Sequence, residues 1–273
     1  MKKRMRYVAL LLFALFLMMN TATGVSASGY RRIPMTFEGR QILNGEALLI
    51  DSTTYVPFRT VCDALGDGTV SWDDKTKTAS FISDELTIRA TCCETYIEAN
   101  GRYLYCEKGI RNVDSRIYVP IRPMAKAFGV SVFWDPSYKV DLAEGEALLP
   151  ADAFYDATDL YWLSRIISAE SRGESLRGKI AVGNVVLNRV ASSHFPNTIK
   201  EVIDQPGQFT PVANGHIGNE PTEESTIAAK LCLEGAIVTE AALFFCNPAI
   251  ATGSWMQENR LYLMTIGQHD FYA

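Results

Sequence analysis

The sequence predicts an α+β protein in two parts. An N-terminal module of two α+β repeats with short strands precedes a mainly helical C-terminal domain. Two observations predict this fold class. A strand-rich pattern recurs 63 residues apart in the first half of the chain, and apolar residues at helical spacing begin near residue 159. A length of 273 residues is enough for two ordinary domains.

The composition argues against a disordered protein and against a protein that binds nucleic acid. Hydrophobic residues make up 48% of the chain and charged residues 21%, so it can build packed cores and does not have the composition of a disordered protein. The formal net charge of -5 argues against nucleic acid as a partner.

The N-terminus predicts export. The stretch MKKRMR is basic, YVALLLFALFLMMN is apolar, and VSA then supplies small residues at cleavage positions. An uncleaved membrane anchor is the alternative, but the apolar run is short for a span that needs about 20 residues. We therefore expect a signal peptide at residues 1–27, a secreted protein and no stable membrane span after cleavage.

Six cysteines follow the predicted signal peptide. Export permits disulfides, but no CxxC motif occurs and the vicinal Cys92 and Cys93 are too close for ordinary disulfide geometry with each other. Cys232 and Cys246 could pair locally, or they could remain buried thiols. The sequence leaves the pairing open.

The repeat is carried by two aligned segments, at about residues 42–82 and 108–142. YVPFRTVCDALGDGTVSWDDKTKTASF begins at Tyr55, and YVPIRPMAKAFGVSVFWDPSYKVDL begins at Tyr118. Each copy predicts a strand that ends at proline, a short helix closed by glycine, and a hairpin with a polar turn. Between the copies the sequence alternates as a strand does, and Asn100-Gly101 predicts a hairpin turn.

These segments resemble the copper amine oxidase N-terminal-like domain of exported bacterial proteins, here over residues 28–145. Residues 28–150 contain no histidine, the usual ligand for Cu(II), so we expect no copper site. The expected role is a small binding or spacer module, with contact to the envelope or to an accessory protein. An acidic, alanine-rich linker at residues 146–157 joins the two parts.

The C-terminal domain opens with an amphipathic helix, for which Asp159 is the predicted N-cap. Glu170 takes the last place on the apolar stripe of this helix, which is formed by Leu160, Leu163, Ile166 and Ile167. A carboxyl against apolar neighbours is desolvated, which raises its pKa and suits a general acid. In the alternative, the helix frays and Glu170 points to water or pairs with Arg165 or Arg172.

Gly173 predicts a break before a second helix, SLRGKIAVGNVVLNRVASS, whose apolar residues lie on several sides. Such a helix belongs in the centre of the domain. Ser175 is its predicted cap, and Glu174 lies near its N-terminal dipole. Glu174 therefore has a structural role that Glu170 lacks.

The segment IISAESRGESLRGKIAVGNVVLNRV resembles the SleB/CwlJ family of cell-wall hydrolases, and the resemblance extends over residues 158–273 through FPNTIKEVIDQPGQFTPV, ALFFCNP and IGQHDFYA. AESRGE departs from the family's A-E-A-R-G-E motif only at Ser171. The resemblance implies a lysozyme-like helical catalytic domain that acts on peptidoglycan, with Glu170 as the catalytic acid. It also implies a set of substrate-binding or cleft-shaping residues: Glu174, Gln208, Phe209, Thr210, Asn247 and His269. For Phe209, a place in the core is the alternative.

The reaction type follows from a count of carboxylates. Those at Asp204, Glu220, Glu223 and Glu224 lie in polar contexts, so no second acid matches Glu170 in placement. A lone Glu suits lytic transglycosylation between N-acetylmuramic acid and N-acetylglucosamine, in cell wall or in spore cortex during germination. Simple hydrolysis stays open. We expect no cofactor and no metal.

Two other functions compete with this one. A zinc N-acetylmuramoyl-L-alanine amidase would use His194, His216 and His269, since three protein ligands suit a catalytic zinc, but their spacing shows no HxxxH-like element. A non-catalytic envelope-binding protein would use the repeat module alone. In each case we expect the protein in the cell wall or spore envelope.

Overall fold

The computed structural model describes residues 30–137, 139–251 and 253–273. The predicted signal peptide at residues 1–27 lies outside the described residues. The described chain is α+β, with a strand-rich first part and a mainly helical second part, as the sequence predicts.

Both copies of the repeat fold as strand, short helix and hairpin. Pro57 and Pro120 end the first strand of their copies in extended backbone, and a helix starts at the next residue. The first copy consists of β3 (Thr53–Pro57), α1 (Phe58–Leu65), β4 (Thr69–Asp73) and β5 (Thr78–Ile82). The second consists of β10 (Arg116–Pro120), α2 (Ile121–Ala127), β11 (Val130–Asp135) and β12 (Lys139–Glu144).

Further strands precede each copy. They are β1 (Arg31–Phe37) and β2 (Arg40–Ile50) before the first copy, and β6 (Thr87–Thr91), β7 (Tyr96–Ala99), β8 (Arg102–Tyr105) and β9 (Arg111–Val113) before the second. Asn100 and Gly101 join β7 to β8 with φ of 47° and 77°. This left-handed two-residue turn is the hairpin that their sequence predicts.

The strands form two sheets, and the larger one combines strands of both copies. One has the order β11-β12-β1-β2-β3-β10-β9, and the other has the order β4-β5-β6-β7-β8. The helices α1 and α2 cover a shared apolar core in which Phe58, Val61 and Met124 are buried. The module is therefore one folding unit and not two independent repeats.

The second part packs helices against a small sheet. Its helices are α3 (Ala151–Phe154), α4 (Ala157–Ser171), α5 (Leu176–Ala191), α6 (Ile199–Asp204), α7 (Thr210–Ala213), α8 (Glu223–Leu233) and α9 (Trp255–Asn259), with a 3-10 turn at His216–Gly218. The strands β13 (Phe244–Cys246), β14 (Tyr262–Ile266) and β15 (His269–Tyr272) form a sheet in the order β13-β15-β14.

The start of α4 differs from the prediction. Asp156, and not Asp159, is the N-cap, because the Asp156 carboxylate accepts hydrogen bonds from the backbone N–H groups of Thr158 at 2.8 Å and Asp159 at 3.0 Å. The helix therefore begins inside the stretch that the sequence predicts to be a linker.

The break between α4 and α5 agrees with the sequence. The apolar stripe of α4 is fully buried at Leu163, Ile166 and Ile167. Helix α5 starts after Ser175, whose hydroxyl accepts a hydrogen bond from Gly178 N–H at 3.3 Å. Residues 178–186 of α5 are all buried, so this helix occupies the centre of the domain.

A buried ion pair joins the two parts of the chain. The Arg102 guanidinium on β8 donates two hydrogen bonds, at 2.6 and 2.8 Å, to the Glu234 carboxylate just after α8. Lys126 Nζ and the Tyr155 hydroxyl also donate to this carboxylate, at 2.8 and 3.0 Å. Burial alone would raise the pKa of Glu234, but its bonds to Arg102 and Lys126 lower it overall. The ionised carboxylate thus fixes the repeat module against the helical domain.

The cysteines are free thiols. Cys232 lies in the helical core with its thiol against the Ile180 carbonyl, whereas Cys246 is half-buried on β13. Within the described ranges, no helix combines the length and the apolar character that crossing a bilayer requires.

Candidate active site

A cleft of about 840 Å³ opens beside the break between α4 and α5. One wall is this break, a second is the loop around α7, and the third is the sheet β13-β15-β14 with α9. Of the residues that the sequence singles out, the cleft brings together Glu170, Glu174, Gln208, Thr210, Asn247 and His269.

Glu170 enters the cleft from the last turn of α4. Its side chain follows Ile166 and Ile167 on the buried face of the helix, and it makes no hydrogen bond or ion pair with any described residue. Burial raises the pKa of Glu170 to about 7 from an ordinary value of 4.5. Desolvation causes this shift, and no charge on a described residue stabilises the ionised form. The site therefore holds a carboxyl group that can keep its proton near neutral pH.

Glu174 lies in the same cleft with a different set of neighbours. Its carboxylate accepts a hydrogen bond from the backbone N–H of Gln268, at 3.3 Å to Oε1, and lies 3.8 Å from His269 Nδ1. The Glu174 side chain is only 7% exposed. Rather than extending into water beside the α5 dipole, it holds the break between the helices against the β14–β15 turn.

That turn depends on a glycine. Gly267 has a φ of 56°, and a Cβ atom at this position would overlap the Glu174 carboxylate. A glycine is needed here both for the left-handed backbone and for the close approach of Glu174.

His269 follows on β15 and is buried against an aromatic ring. Its ring packs edge-on against Phe245, with centroids 5.3 Å apart at 88°. Burial lowers the pKa of His269, and Glu174 partly opposes that shift. His269 Nδ1 has no hydrogen-bond partner among the described residues, and its lowered pKa favours the neutral ring.

The loop at α7 separates residues that the sequence groups together. Gln208 and Thr210 are exposed and line the cleft. Phe209 does not: it is 3% exposed and belongs to the apolar core of the helical domain. The ring of Phe209 takes the place in the core that the sequence offered as the alternative, because the backbone turns it inward while its two neighbours face the cleft.

Asn247 lies on the opposite wall, just after β13. Its amide group donates to the Gln268 side chain at 3.1 Å, and its carbonyl oxygen accepts from Ala249 N–H at 3.0 Å. Asn247 and Gln268 therefore present a connected pair of amide groups to the cleft.

Sequence reasoning missed Arg189, a buried cation in the cleft wall. It is 3% exposed, its Nε donates to the Leu243 carbonyl at 2.7 Å, and its Nη1 is buried with no partner among the residues that the structure describes. The guanidinium carbon lies 5.1 Å from the centroid of the Phe209 ring and 5.4 Å from that of the Phe244 ring. Burial lowers the pKa of Arg189 to about 10. In the sequence, Arg189 is a basic residue near the end of an apolar helix, and this pattern does not indicate that its side chain is buried in a cleft wall.

The aromatic rim of the cleft was also missed. Trp255 at the start of α9 is 58% exposed and lines the opening. Arg260 lies between the rings of Trp255 and Phe244, at 5.3 and 4.3 Å from their centroids. An exposed ring at a cleft entrance offers an apolar face to a sugar ring.

The other carboxylates considered from the sequence lie outside the cleft. Glu220 pairs with Arg165 at 2.7 Å, Glu224 pairs with Lys179 at 2.6 Å, and Asp204 pairs with Lys200. Glu223 is exposed in the first turn of α8. The pairing of Arg165 with Glu220 also removes it as a partner for Glu170.

The histidines do not converge. His216 and His269 line the cleft, whereas His194 lies on the exposed turn after α5, 3.4 Å from the Ser192 hydroxyl. Among the residues that the structure describes, no three His, Cys, Asp or Glu side chains are grouped as metal ligands.

Two family models match the chain. Residues 36–140 match the copper amine oxidase N-terminal domain, and residues 173–272 match the Cell Wall Hydrolase family. The second match starts three residues after Glu170 and includes the cleft residues from Gly173 onward.

Curated relatives match the helical part. A spore cortex-lytic enzyme of Bacillus cereus is 39% identical over 117 residues, which is 43% of this chain and 45% of the relative. The corresponding enzyme of Bacillus subtilis is 36% identical over 117 residues, 43% of this chain and 38% of the relative. Cell wall hydrolase CwlJ of Bacillus subtilis is 30% identical over 83 residues, 29% of this chain and 58% of the relative. The chain spans less than half the length of the spore cortex-lytic enzymes that it matches.

Solved structures match the same part. The catalytic domain of the germination-specific lytic transglycosylase SleB from Bacillus anthracis is 38% identical, and the match covers 46% of this chain and 100% of that one with a TM-score of 0.42. The catalytic domain of the Bacillus cereus SleB protein is 39% identical, with 44% and 92% coverage and a TM-score of 0.41.

Proposed function

Because the chain carries a cell wall hydrolase domain behind a copper amine oxidase N-terminal domain, we propose that it cleaves the glycan strands of peptidoglycan. Glu170 is the proton donor, and the bond cleaved joins N-acetylmuramic acid to N-acetylglucosamine. The observation that carries this proposal is the Glu170 carboxyl itself, which faces a large cleft, has no partner among the described residues, and has a pKa raised to about 7.

The first step is protonation of the glycosidic oxygen. Glu170 gives its proton to this oxygen as the bond to C1 of the muramoyl residue breaks, and the N-acetylglucosamine alcohol leaves. A carboxyl with a pKa near the working pH suits this transfer, because it is protonated in the resting enzyme and ionises readily.

The second step closes a ring. The ionised Glu170 takes the proton from the muramoyl 6-hydroxyl while that oxygen bonds to C1, which gives a 1,6-anhydro product. One carboxyl then serves as acid and as base, returns to its protonated form, and consumes no water. A mechanism with a single carboxyl group agrees with the positions of Glu220, Glu224 and Asp204, which form ion pairs outside the cleft.

The other cleft residues hold the glycan. Gln208, Thr210 and Asn247 offer hydrogen-bonding groups at the cleft surface, and Trp255 offers a ring for stacking. Glu174 and His269 shape the cleft next to Glu170, since the contact of Glu174 with Gln268 N–H fixes the β14–β15 turn.

The curated relatives are named for spore cortex lysis, and we propose cortex or the surrounding wall as the substrate. The basic and apolar N-terminus supports export to that layer. The contact of the repeat module with the envelope belongs to the same proposal.

Mass spectrometry of digestion products tests the reaction. Purified protein is incubated with spore cortex and with vegetative sacculi, and the released muropeptides are analysed. We expect fragments that end in anhydromuramic acid, one water lighter than the reducing fragments that a hydrolase would release. Release of free stem peptides, blocked by a chelator, would establish an amidase and overturn the proposal. No release from either substrate would overturn it in favour of a binding protein.

A further inference from the structure

The repeat module has an internal two-fold symmetry. In the antiparallel pair β3–β10, Val56 lies opposite Val119, and these two residues are equivalent in the repeat. The two flanking pairs are also related by the repeat: Tyr118 lies opposite Pro57, and their equivalents Tyr55 and Pro120 lie opposite each other. A pseudo-two-fold axis therefore passes between Val56 and Val119 and relates the strand and the short helix of one copy to those of the other.

The symmetry produces two matching grooves. The Trp72 groove, about 380 Å³, is formed in the first copy by Pro57, Arg59 and Trp72, and is completed by Ser115 and Arg116 from the second. The Trp134 groove, about 400 Å³, is formed in the second copy by Pro120, Arg122 and Trp134, and is completed by Ser52 and Thr53 from the first. Ser52 and Ser115 are themselves equivalent. Each groove thus needs both copies.

Each groove presents a partly exposed indole. Trp72 is 43% exposed on β4, and Trp134 is 46% exposed on β11. Both lie outside the module's buried core, where an apolar residue of this size would contribute more to stability. A large ring beside hydroxyl groups in a concave site suits a sugar, which has an apolar face and a polar edge.

Each groove also has an arginine next to the indole. Arg59 and Arg122 are exposed in the first turn of α1 and α2, and Arg59 Nη1 donates to the Val70 carbonyl at 3.3 Å, which holds it beside β4. The guanidinium is the group best suited to a carboxylate.

The remaining charges in the grooves pair with one another. In the Trp72 groove Arg116 lies 3.5 Å from Glu46, and in the Trp134 groove Lys108 lies 3.7 Å from Glu107. The arginine at the equivalent position of each copy, Arg59 or Arg122, forms no ion pair with any described residue. Each groove favours an anionic ligand.

We propose that the two grooves bind a glycan strand of N-acetylated amino sugars that bears carboxylates. Trp72 and Trp134 stack on sugar rings, and Arg59 and Arg122 bind the carboxylates of the branches. The identity of this polymer with peptidoglycan rests on the proposed function. Two sites on one rigid module bind a repeating polymer together, so that the second contact forms at a high effective concentration.

A sedimentation assay with insoluble sacculi tests the grooves. The full chain carries Glu170→Gln so that the polymer stays intact, and Trp72→Ala and Trp134→Ala are added singly and together. We expect each single change to weaken binding about 3- to 10-fold and the double change about 100-fold, since it removes both sites. Ile82→Ala is the matched control: Ile82 is 55% exposed on β5 and lines neither groove. Unchanged binding by the double variant would overturn the proposal.

A second pair of changes tests the charge. Arg59→Gln with Arg122→Gln leaves both indoles in place and should reduce sacculus binding about 10-fold, with a larger effect at low salt. Chitin is the comparison polymer, because it has N-acetylglucosamine rings without carboxylates. We expect weaker binding to chitin and no effect of the arginine changes on it. Equal sensitivity on both polymers would contradict the carboxylate contact. Thermal unfolding of each variant confirms that it folds.

Binding by the grooves can be tested separately from cleavage at Glu170. With Glu170 intact, the double tryptophan variant should cleave short soluble glycan strands at the normal rate but intact sacculi more slowly. If the unaltered chain cleaves sacculi and the double variant binds them normally, the grooves are not glycan sites although the proposed function holds. If nothing is cleaved but the double variant loses sacculus binding, the proposed function fails and the grooves stand.

Discussion

Glu170 and Glu174 are four residues apart and line one cleft, but among the described residues only the Glu174 carboxylate has a hydrogen-bond donor there. Glu174 is held by Gln268 N–H at 3.3 Å and faces His269, whereas Glu170 has no partner in the part of the chain that the structure describes and a pKa raised to about 7. The break at Gly173 turns the two side chains into different surroundings. One carboxylate is fixed in the wall, and the other is available to exchange a proton with a ligand.

Activity should fall as pH rises through about 7. The reaction needs the protonated form of Glu170, and its pKa is about 7 in the folded protein, so each pH unit above that value should reduce the rate about tenfold. Initial rates of muropeptide release between pH 5 and pH 9 measure this. A rate that stays flat between pH 7 and pH 9 would exclude Glu170 as the acid.

Replacement of Glu170 by Gln should stabilise the protein in alkaline solution. The pKa of Glu170 is raised on folding, from 4.5 to about 7. The stability that its protonated form provides is complete below pH 4.5 and is lost as pH rises through 7. Gln cannot ionise, so Glu170→Gln should raise the free energy of unfolding by roughly 1–3 kcal/mol at pH 8 and leave it unchanged at pH 4. Thermal unfolding at both pH values checks the difference, with the exposed Glu240→Gln as a control that should shift neither.

Gly267→Ala should disrupt the cleft. The new methyl group would overlap the Glu174 carboxylate and would also sit on a left-handed backbone. Gly215→Ala is the matched control, because Gly215 also has a positive φ, of 79°, but has open space around it. We expect Gly215→Ala to cost about 1 kcal/mol of stability with normal activity, and Gly267→Ala to lower both stability and activity further. Equal behaviour of the two variants would show that the approach of Glu174 to the turn is unimportant.

Glu234→Gln should loosen the contact between the two parts of the chain. It would leave the Arg102 guanidinium, only 5% exposed, without its charge partner. Loss of one partner from a buried pair costs about 3–5 kcal/mol. Lys126→Met removes the other cation of this cluster, but Lys126 is 46% exposed and its loss should cost less than about 1 kcal/mol. Unfolding by denaturant and limited proteolysis near residues 146–150 measure both. A similar small effect for the two changes would contradict a structural role for the pair.

Much of the architecture could be predicted because it is encoded locally. Pro57 and Pro120 end strands by their missing N–H group, and Asn100-Gly101 adopts the left-handed turn that its sequence indicates. The phase of the α4 stripe also gave the burial of Glu170, since a residue three or four positions after Ile167 and Ile166 lies on the same helix face.

The features that could not be predicted depend on distant residues. Arg102 and Glu234 are 132 positions apart, and nothing near either one indicates the other. Phe209 sits between two cleft residues but points to the core, because the turn before α7 sets its direction. The contact of Glu174 with Gln268 depends on how the β14–β15 turn packs against α5. The local sequence pattern gives the residue type at such positions, but it does not show which distant residues their side chains contact.

The most direct measurement of the central claim is the rate of glycan cleavage by Glu170→Gln. The variant keeps the size and hydrogen-bonding shape of the side chain but cannot give up a proton. At pH 6, on the same sacculi, we expect its rate to be about 100- to 10,000-fold below that of the unaltered protein, while Glu240→Gln retains full activity and both bind sacculi normally. Cleavage by Glu170→Gln within a few-fold of the unaltered rate would contradict the assignment of Glu170 as the proton donor.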